Sequence, residues 1–350
     1  MRVVVTGASG NVGTSVLRAL SSEPAVESVI GVCRRIPRTS FAKVEWRSAD
    51  VAGSPLRPLF DGADAVIHLA WLIQPARDRR LTRSVNVGGS ARVFDAAAAA
   101  GVPALVYASS VGAYAPGPKD RQVDESWPTT GIESSFYSRD KAEVERLLDR
   151  FELEHPHTRV VRLRPALIFK REAASGIRRL FAGPLLPGSL LRPPLIPLIP
   201  DVDRLVFQAV HSHDVGDAYR RALTSDASGP FNIAAEPILD PGELARILGA
   251  RRVPVPAGAL RAAALASYKL RLQPSEPGWL DMALKTPLMD VSRAREQLGW
   301  RPERSSVDAL QDLLAGMREG AGMDTPPLEP GGAGPLRLRE VLSGVGARTG

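Results

Sequence analysis

The chain has 350 residues, 45 Lys and Arg against 38 Asp and Glu, and a formal net charge of +7; that length can bury a substantial α/β core, with or without a smaller appended part. Its one cysteine, Cys33, excludes an intrachain disulfide framework and makes a reducing cytoplasm the expected compartment. The first residues lack the pattern of a signal peptide, prolines and Arg192 break the apolar stretch 185–200, and the arginines are scattered without a basic-aromatic platform or a zinc spacing. No membrane, nucleic acid or metal is therefore expected as a partner, and the positive excess suits anionic cofactors or substrates.

The chain opens on three valines that run into Gly7, Gly10 and Gly13, and Val12, Val16, Leu17 and Leu20 follow at helical spacing. Strand, tight turn and helix in that order read as a dinucleotide site: glycines let the backbone turn and let a pyrophosphate approach, and the helix N-terminus offers free N–H groups. Ser9, Asn11 and Val12 lie within that turn. A second strand over 28–33 ends in Cys33, Arg34 and Arg35, where such a fold meets the adenosine ribose. A third strand over 43–47 leads to Asp50 and Val51; the Asp50 carboxylate either accepts from an adenine amino group or caps a helix over 55–60. Residues 63–70 form a fourth strand, apolar as one buried on both faces should be, with His68 read as a packed strand-end residue.

A long helix is expected over 79–100, carrying Asn86, then a fifth strand over 103–109 that runs into Ser110. Residues 116–135 read as a polar surface loop, 134–154 as a helix, and 158–164 as a sixth strand ended by Pro165. Composition then shifts: 165–210 is rich in Pro, Leu and Arg without periodicity, which predicts a lid-like substrate region rather than more sheet. The stretches 207–218 and 230–234, with helices near 240–248 and 292–298, build a smaller C-terminal part. The expected organisation is a cofactor domain over 1–165, a substrate region over 166–318 interleaved with it, and a Gly/Pro-rich flexible tail over 319–350.

Tyr137 and Lys141 stand four apart on one helix face, just after the strand-end Ser110. Together they make a proton-handling device: a lysine ammonium and a nicotinamide cation favour the phenolate of a tyrosine whose ordinary pKa is near 10, and the serine hydroxyl holds a substrate oxygen. Tyr-x-x-x-Lys alone is weak evidence; of the five tyrosines only Tyr137 has it, and it gains weight from its order behind the glycine turn.

Taken in chain order, Thr6 to Gly13, Asp50-Val51, His68-Leu69-Ala70, Asn86-Val87, Val106 to Ser110, Tyr137 to Lys141, Arg164-Pro165, His211 to Asp214 and Leu298 to Pro302 make the chain resemble the extended short-chain dehydrogenase/reductase family, the NAD-dependent epimerase/dehydratase group. The resemblance implies a Rossmann-type, doubly wound seven-stranded parallel sheet and a homodimer as a common assembly. It implies Ser110 as the substrate-oxygen residue, Tyr137 as acid/base and Lys141 on the nicotinamide ribose. Leu69, Ala70 and Pro165 would line the cofactor channel, and Asn86 would support the active-site helix. Two departures bear on the substrate. Members acting on nucleotide sugars often carry an asparagine shortly after the Arg-Pro pair, here Leu167, and an arginine four residues before His-x-x-Asp, here Phe207. Trp71 and Leu72 also make the pocket more apolar than a UDP-sugar needs. Three readings stay open: nucleotide-sugar epimerisation, reduction of an apolar ketone, and a non-catalytic dinucleotide sensor. The cofactor is NAD or NADP; with no acidic residue at the end of the second strand and two arginines there, NADP is favoured.

Overall fold

Val3, Val4 and Val5 become the fully buried centre of β1 (Arg2–Thr6) in a computed structural model that describes residues 1–73, 78–181, 197–273 and 275–330. Around β1 assemble β2 (Ser28–Cys33), β3 (Val44–Ser48), β4 (Ala65–His68), β5 (Ala104–Ala108), β6 (Arg159–Pro165) and β7 (Gly229–Ile233). They form one seven-stranded sheet in the order β7-β6-β5-β4-β1-β2-β3, every neighbouring pair parallel. The order reverses between β1 and β4, and in an open parallel sheet ligands bind in the crevice outside the strand ends at such a point.

Helices cover both faces, as parallel strands require. On one face α1 (Asn11–Ser21) packs against a later helix, Ser212–Thr224, with Val16, Leu17, Leu20, Tyr219 and Leu223 in one core. The two helices touch at backbone distance: a Cβ on Gly216 would lie 2.6 Å from the Ser15 carbonyl oxygen, and Ser15 Oγ and Ser212 Oγ are 2.9 Å apart. On the other face α2 (Gly89–Ala99) and α3 (Phe136–Glu154) bury Val93, Phe94, Leu148 and Phe151. The helix expected over 79–100 is interrupted: Arg79–Arg83 and α2 are joined by a π-helical turn, Ser84–Gly88, which contains Asn86.

The stretch 165–210 departs from the sequence expectation. It contains three strands, Leu167–Phe169, Leu198–Asp201 and Phe207–His211, and a helix, Ala174–Phe181. Phe207–His211 pairs with Leu167–Phe169 on one side and with Ala235–Leu239 on the other, and a helix over Ser306–Glu319 closes a small core of Phe169, Ala209, Leu239, Leu310 and Leu313. Each strand is too short to show periodicity, and each finds its partner far along the chain. The expected polar loop also holds a two-residue strand, Gln122–Val123, paired with Leu288–Met289. Of the expected tail, Thr325 and Leu328 are buried, and the Thr39 hydroxyl donates to the Asp324 carbonyl at 2.9 Å. The remaining 331–350, and part of the proposed lid, lie outside the described residues.

The two late motifs of the sequence meet as structure. The Asp214 carbonyl accepts from the Trp300 indole at 2.8 Å, and its carboxylate accepts from the Arg304 amide at 3.1 Å. Among the described residues no helix is long and apolar enough to cross a membrane.

One ionic network fixes α3 to the sheet. Glu145 is fully buried; its carboxylate accepts from Arg164 Nε at 2.9 Å and Nη2 at 3.0 Å, from Arg162 Nη1 at 2.9 Å and from the Ser109 hydroxyl. Burial pushes this carboxyl up, but the forked hydrogen bonds and charge of Arg164, joined by Arg162 and Ser109, outweigh it and hold it down at about 2. Glu145→Gln leaves the buried Arg164 guanidinium without its carboxylate and takes one of three from Arg162, and is expected to cost roughly 3–5 kcal/mol of stability. Chemical denaturation checks this, and an unchanged midpoint counts against it. Because the folded carboxyl titrates below its unfolded value near 4.3, its contribution is present above that value and is lost as pH falls toward about 2.

Candidate functional site

The glycine turn after β1 is built for close approach. Gly7 takes a positive φ of +73°, and a Cβ there would lie 2.6 Å from the Ala70 amide nitrogen. A Cβ on Gly13 would lie 2.5 Å from the carbonyl oxygens of Gly7 and Ala8, so α1 starts hard against the turn. Gly7 and Ala8 donate to the Val32 carbonyl, Gly10 donates to Gly7, and Ser9 is buried beside Cys33. Gly10 is the N-cap of α1 and brings no side chain to its first amides. Asn11 Oδ1 is buried without a hydrogen-bond partner among the described residues. A bare helix N-terminus, a turn whose three glycines carry no Cβ and an amide oxygen left without a partner among the described residues together fit the pyrophosphate of a dinucleotide. Val12 packs against the core beneath the turn.

At the end of β2 the main chain is pinned, with Ser48 Oγ donating to the Arg34 carbonyl at 3.0 Å and Cys33 Sγ to the Arg35 carbonyl at 3.2 Å. Both arginine side chains are exposed, and neither forms an ion pair among the described residues. Asp50 does not cap the short helix Arg57–Phe60, whose N-cap is Leu56. Its Oδ1 accepts from the Ala52 amide at 3.0 Å, closing a local turn beside the buried Val51.

At the end of β4, His68 is fully enclosed in a hydrogen-bonded chain. The Ser90 hydroxyl donates to the Asn86 carbonyl at 2.5 Å, so it accepts from His68 Nε2 at 3.0 Å, and His68 Nδ1 accepts from the Thr6 hydroxyl at 2.6 Å. Burial, helped by the Lys141 charge, drops the imidazole to about 3, so it is neutral and structural. Asn86, expected to support the active-site helix, engages both ends of its amide with Leu72, accepting from the Leu72 amide at 2.7 Å and donating to its carbonyl at 2.9 Å. It holds in place the segment that follows Leu69 and Ala70, and it reaches Asp140 on α3.

Ser110, Tyr137 and Lys141 come together where the ends of β5 and β6 meet the first turns of α3. The Ser110 side chain hydrogen-bonds Tyr137 and accepts from the Gly112 amide at 3.0 Å. Gly112 makes room for the ring: a Cβ there would lie 2.9 Å from Tyr137 Cε1. The start of α3 is set by Ser135, whose hydroxyl accepts from the Ser138 amide, and by Ser138 itself, which donates to the Gly112 carbonyl. Burial pushes the Tyr137 phenol up to about 12, partly offset by the Ser110 hydrogen bond.

Lys141 is buried and donates to the Ala108 carbonyl at 2.6 Å, and its ammonium lies 3.5 Å from the centre of the Trp71 indole and 5.9 Å from that of Tyr137. Burial lowers it to about 7 against the pull of Glu145 and Asp140. Trp71 stands edge-on to Tyr137, ring centres 5.9 Å apart, and its buried indole N–H has no partner among the described residues. A donor lacking a partner beside the phenol is a ready contact for a substrate or cofactor oxygen.

A small cleft of about 100 Å³ opens alongside. Val111, Ala166, Leu167, Phe207, Met282 and Met289 line it, with Trp279 tilted over Tyr137 at 5.0 Å between ring centres. Leu167 and Phe207, the two departures noted in the sequence, both face this space, and Pro165 lies buried at its β6 end. Trp279 and Lys119, which also line it, carry no motif; only their distant partners in the fold bring them here.

Comparison with known proteins agrees with this geometry. An uncharacterized protein of Mycobacterium tuberculosis, Rv2047c, is 29% identical over 326 residues, which are 92% of this chain and 31% of that protein, so the chain spans about a third of its relative's length. The solved structure of gox2253 matches with a TM-score of 0.70 at 23% identity, covering 92% of this chain and 99% of that one. MoeE5 in complex with UDP-glucuronic acid and NAD matches at 0.68 and 20% identity, covering 91% and 99%. The family described as NAD dependent epimerase/dehydratase matches residues 3–234, from β1 through the end of β7, and the chain belongs to that family.

Proposed function

We propose that the protein is an NAD(P)-dependent oxidoreductase that interconverts a ketone and a secondary alcohol on an apolar substrate. The observation that carries this reading is the Ser110, Tyr137 and Lys141 set with Trp279 packed on its tyrosine, Trp279 in turn lining a cleft with Leu167 and Phe207, two side chains that offer no polar partner to a diphosphate. Hydride transfer is what the bound dinucleotide supplies. The chain's own part is to seat the pyrophosphate on the Gly7 to Gly13 turn and α1, and to hold the substrate oxygen with the Ser110 hydroxyl. Tyr137 passes a proton to or from that oxygen. A phenol held up at about 12 keeps its proton at neutral pH, which suits it as the acid in ketone reduction. Lys141, beside the phenol, is the residue that would hold the nicotinamide ribose.

Tyr137→Phe deletes the proton carrier alone and should lower turnover by about 100-fold or more while dinucleotide affinity stays within about threefold. Steady-state kinetics with a panel of ketones, paired with cofactor titration, checks this, and retained turnover removes Tyr137 from the role. UDP-glucose should bind no more tightly than about millimolar; a micromolar constant by calorimetry restores the sugar-nucleotide reading.

The free-standing Arg34 and Arg35 side chains, on a main chain pinned by Ser48 and Cys33, suit a 2′-phosphate. NADP(H) should bind more tightly than NAD(H), and replacing both arginines with alanine should narrow the gap by about tenfold or more, the loss of one or two charged hydrogen bonds. Tighter NAD(H) binding by the unaltered protein makes both arginines surface residues.

A further inference from the structure

The cleft beside Tyr137 is mostly apolar, and among the described residues Lys119 is the one charged side chain that lines it. Lys119 lies on the segment between Tyr114 and Gln122, and its ammonium donates to two main-chain carbonyls from distant parts of the fold, Val206 at 2.6 Å and Ala283 at 2.8 Å. An ammonium has three donors, so these two bonds leave one N–H. Arg204 stands nearby, fixed to the carbonyls of Gly117 at 2.9 Å and Leu284 at 3.3 Å. Among the described residues neither cation has a carboxylate within 4.0 Å; Arg204 is exposed, and Lys119 is half-buried with carbonyls as its partners. Burial, and after it the Arg204 charge, pull Lys119 down to about 7. The other polar lining groups are engaged: Gln208 donates to and accepts from the Met289 main chain at 3.0 and 2.7 Å, and the Thr286 hydroxyl donates to Met282.

A cation held in place by carbonyls and lacking a counter-ion, lining a mostly apolar space, is a built receptor for one small anion on an apolar body. We propose, on the reading of this cleft as the substrate site, that the substrate carries a carboxylate that Lys119 binds, with its apolar body against Leu167, Phe207 and Met282 and its reacting oxygen toward Ser110 and Tyr137. A diphosphate is a poorer match, since two or more charges would share a single remaining donor.

The test uses the full chain, with and without NADP, and a matched pair of probes, 4-phenylbutyrate and 4-phenylbutan-1-ol, with UDP as a third, followed by calorimetry. The acid should bind about tenfold or more tightly than the alcohol, a difference of about 1.4 kcal/mol. Lys119→Met should remove that preference while leaving the alcohol within about twofold, and Lys119→Arg should keep it. A merely structural tie would weaken both probes alike. Equal binding of acid and alcohol by the unaltered protein, no binding of either, tighter binding of UDP than of the acid, or an unchanged preference in Lys119→Met each overturns the proposal. The comparison within the unaltered protein holds even if the methionine variant does not fold. None of these readouts uses turnover, and Tyr137→Phe should show the same preference, so the carboxylate site and the oxidoreductase reading fail separately.

Discussion

The buried carboxylate of Glu145 is the joint on which the rest of the site depends. Ser110 belongs to the end of a strand and Tyr137 to the start of a helix, and nothing covalent near them sets their distance. Glu145, two turns beyond Tyr137, takes hydrogen bonds from Ser109 on one side and Arg164 on the other, and so ties α3 to two neighbouring strand ends at once. A forked guanidinium fixes angle as well as distance. Desolvating these charges is costly, and the arrangement is tolerable because each charge has further partners: Arg164 donates to the Tyr114 hydroxyl and the Glu125 carbonyl, and Arg162 to Asp149 and Glu152.

Much of this fold is legible in the chain because parallel strands buried on both faces must be apolar throughout. Val3 to Val5, Ala65 to Ile67 and Leu105 to Val106 show it, and the glycine turn after β1 announces the crevice at the switch point. The small strands after Pro165 were not legible. Phe207–His211 is held by Leu167–Phe169 and Ala235–Leu239, so its extended form comes from pairing across some thirty or forty residues and leaves no local pattern. The π turn around Asn86 escapes for another reason: one extra residue per turn hardly alters apolar spacing, yet it aims the amide at Leu72.

At the site itself, spacing gave the right helix face for Tyr137 and Lys141 and the right strand end for Ser110. It could not give the direction of the Lys141 ammonium, which packs on Trp71 and the Ala108 carbonyl. Periodicity states which face a residue lies on; it is silent about which segment arrives to meet it. Lys119 makes the same point more strongly. Its polar, Pro- and Gly-containing surroundings read as a surface loop, and only the approach of Val206 and Ala283 encloses it.

The electrostatics of the pair on α3 give the proposed reaction a direction. Burial works against charge on both groups, lifting Tyr137 to about 12 and lowering Lys141 to about 7, although the ionised Glu145 below favours a protonated lysine. A neutral phenol beside a substrate oxygen can give up its proton with no prior charge separation, so ketone reduction begins from the form in which the protein already rests. Oxidation begins with the opposite need, a phenolate in the same buried place. The protein's own means of stabilising it are the Ser110 hydrogen bond and a lysine whose ammonium faces Trp71 and Ala108. The remaining positive charge has to arrive with an oxidised nicotinamide. Both directions need the dinucleotide; what differs between them is the protonation state of the phenol at the start, a consequence of how deeply these two side chains are set against Trp71 and Trp279.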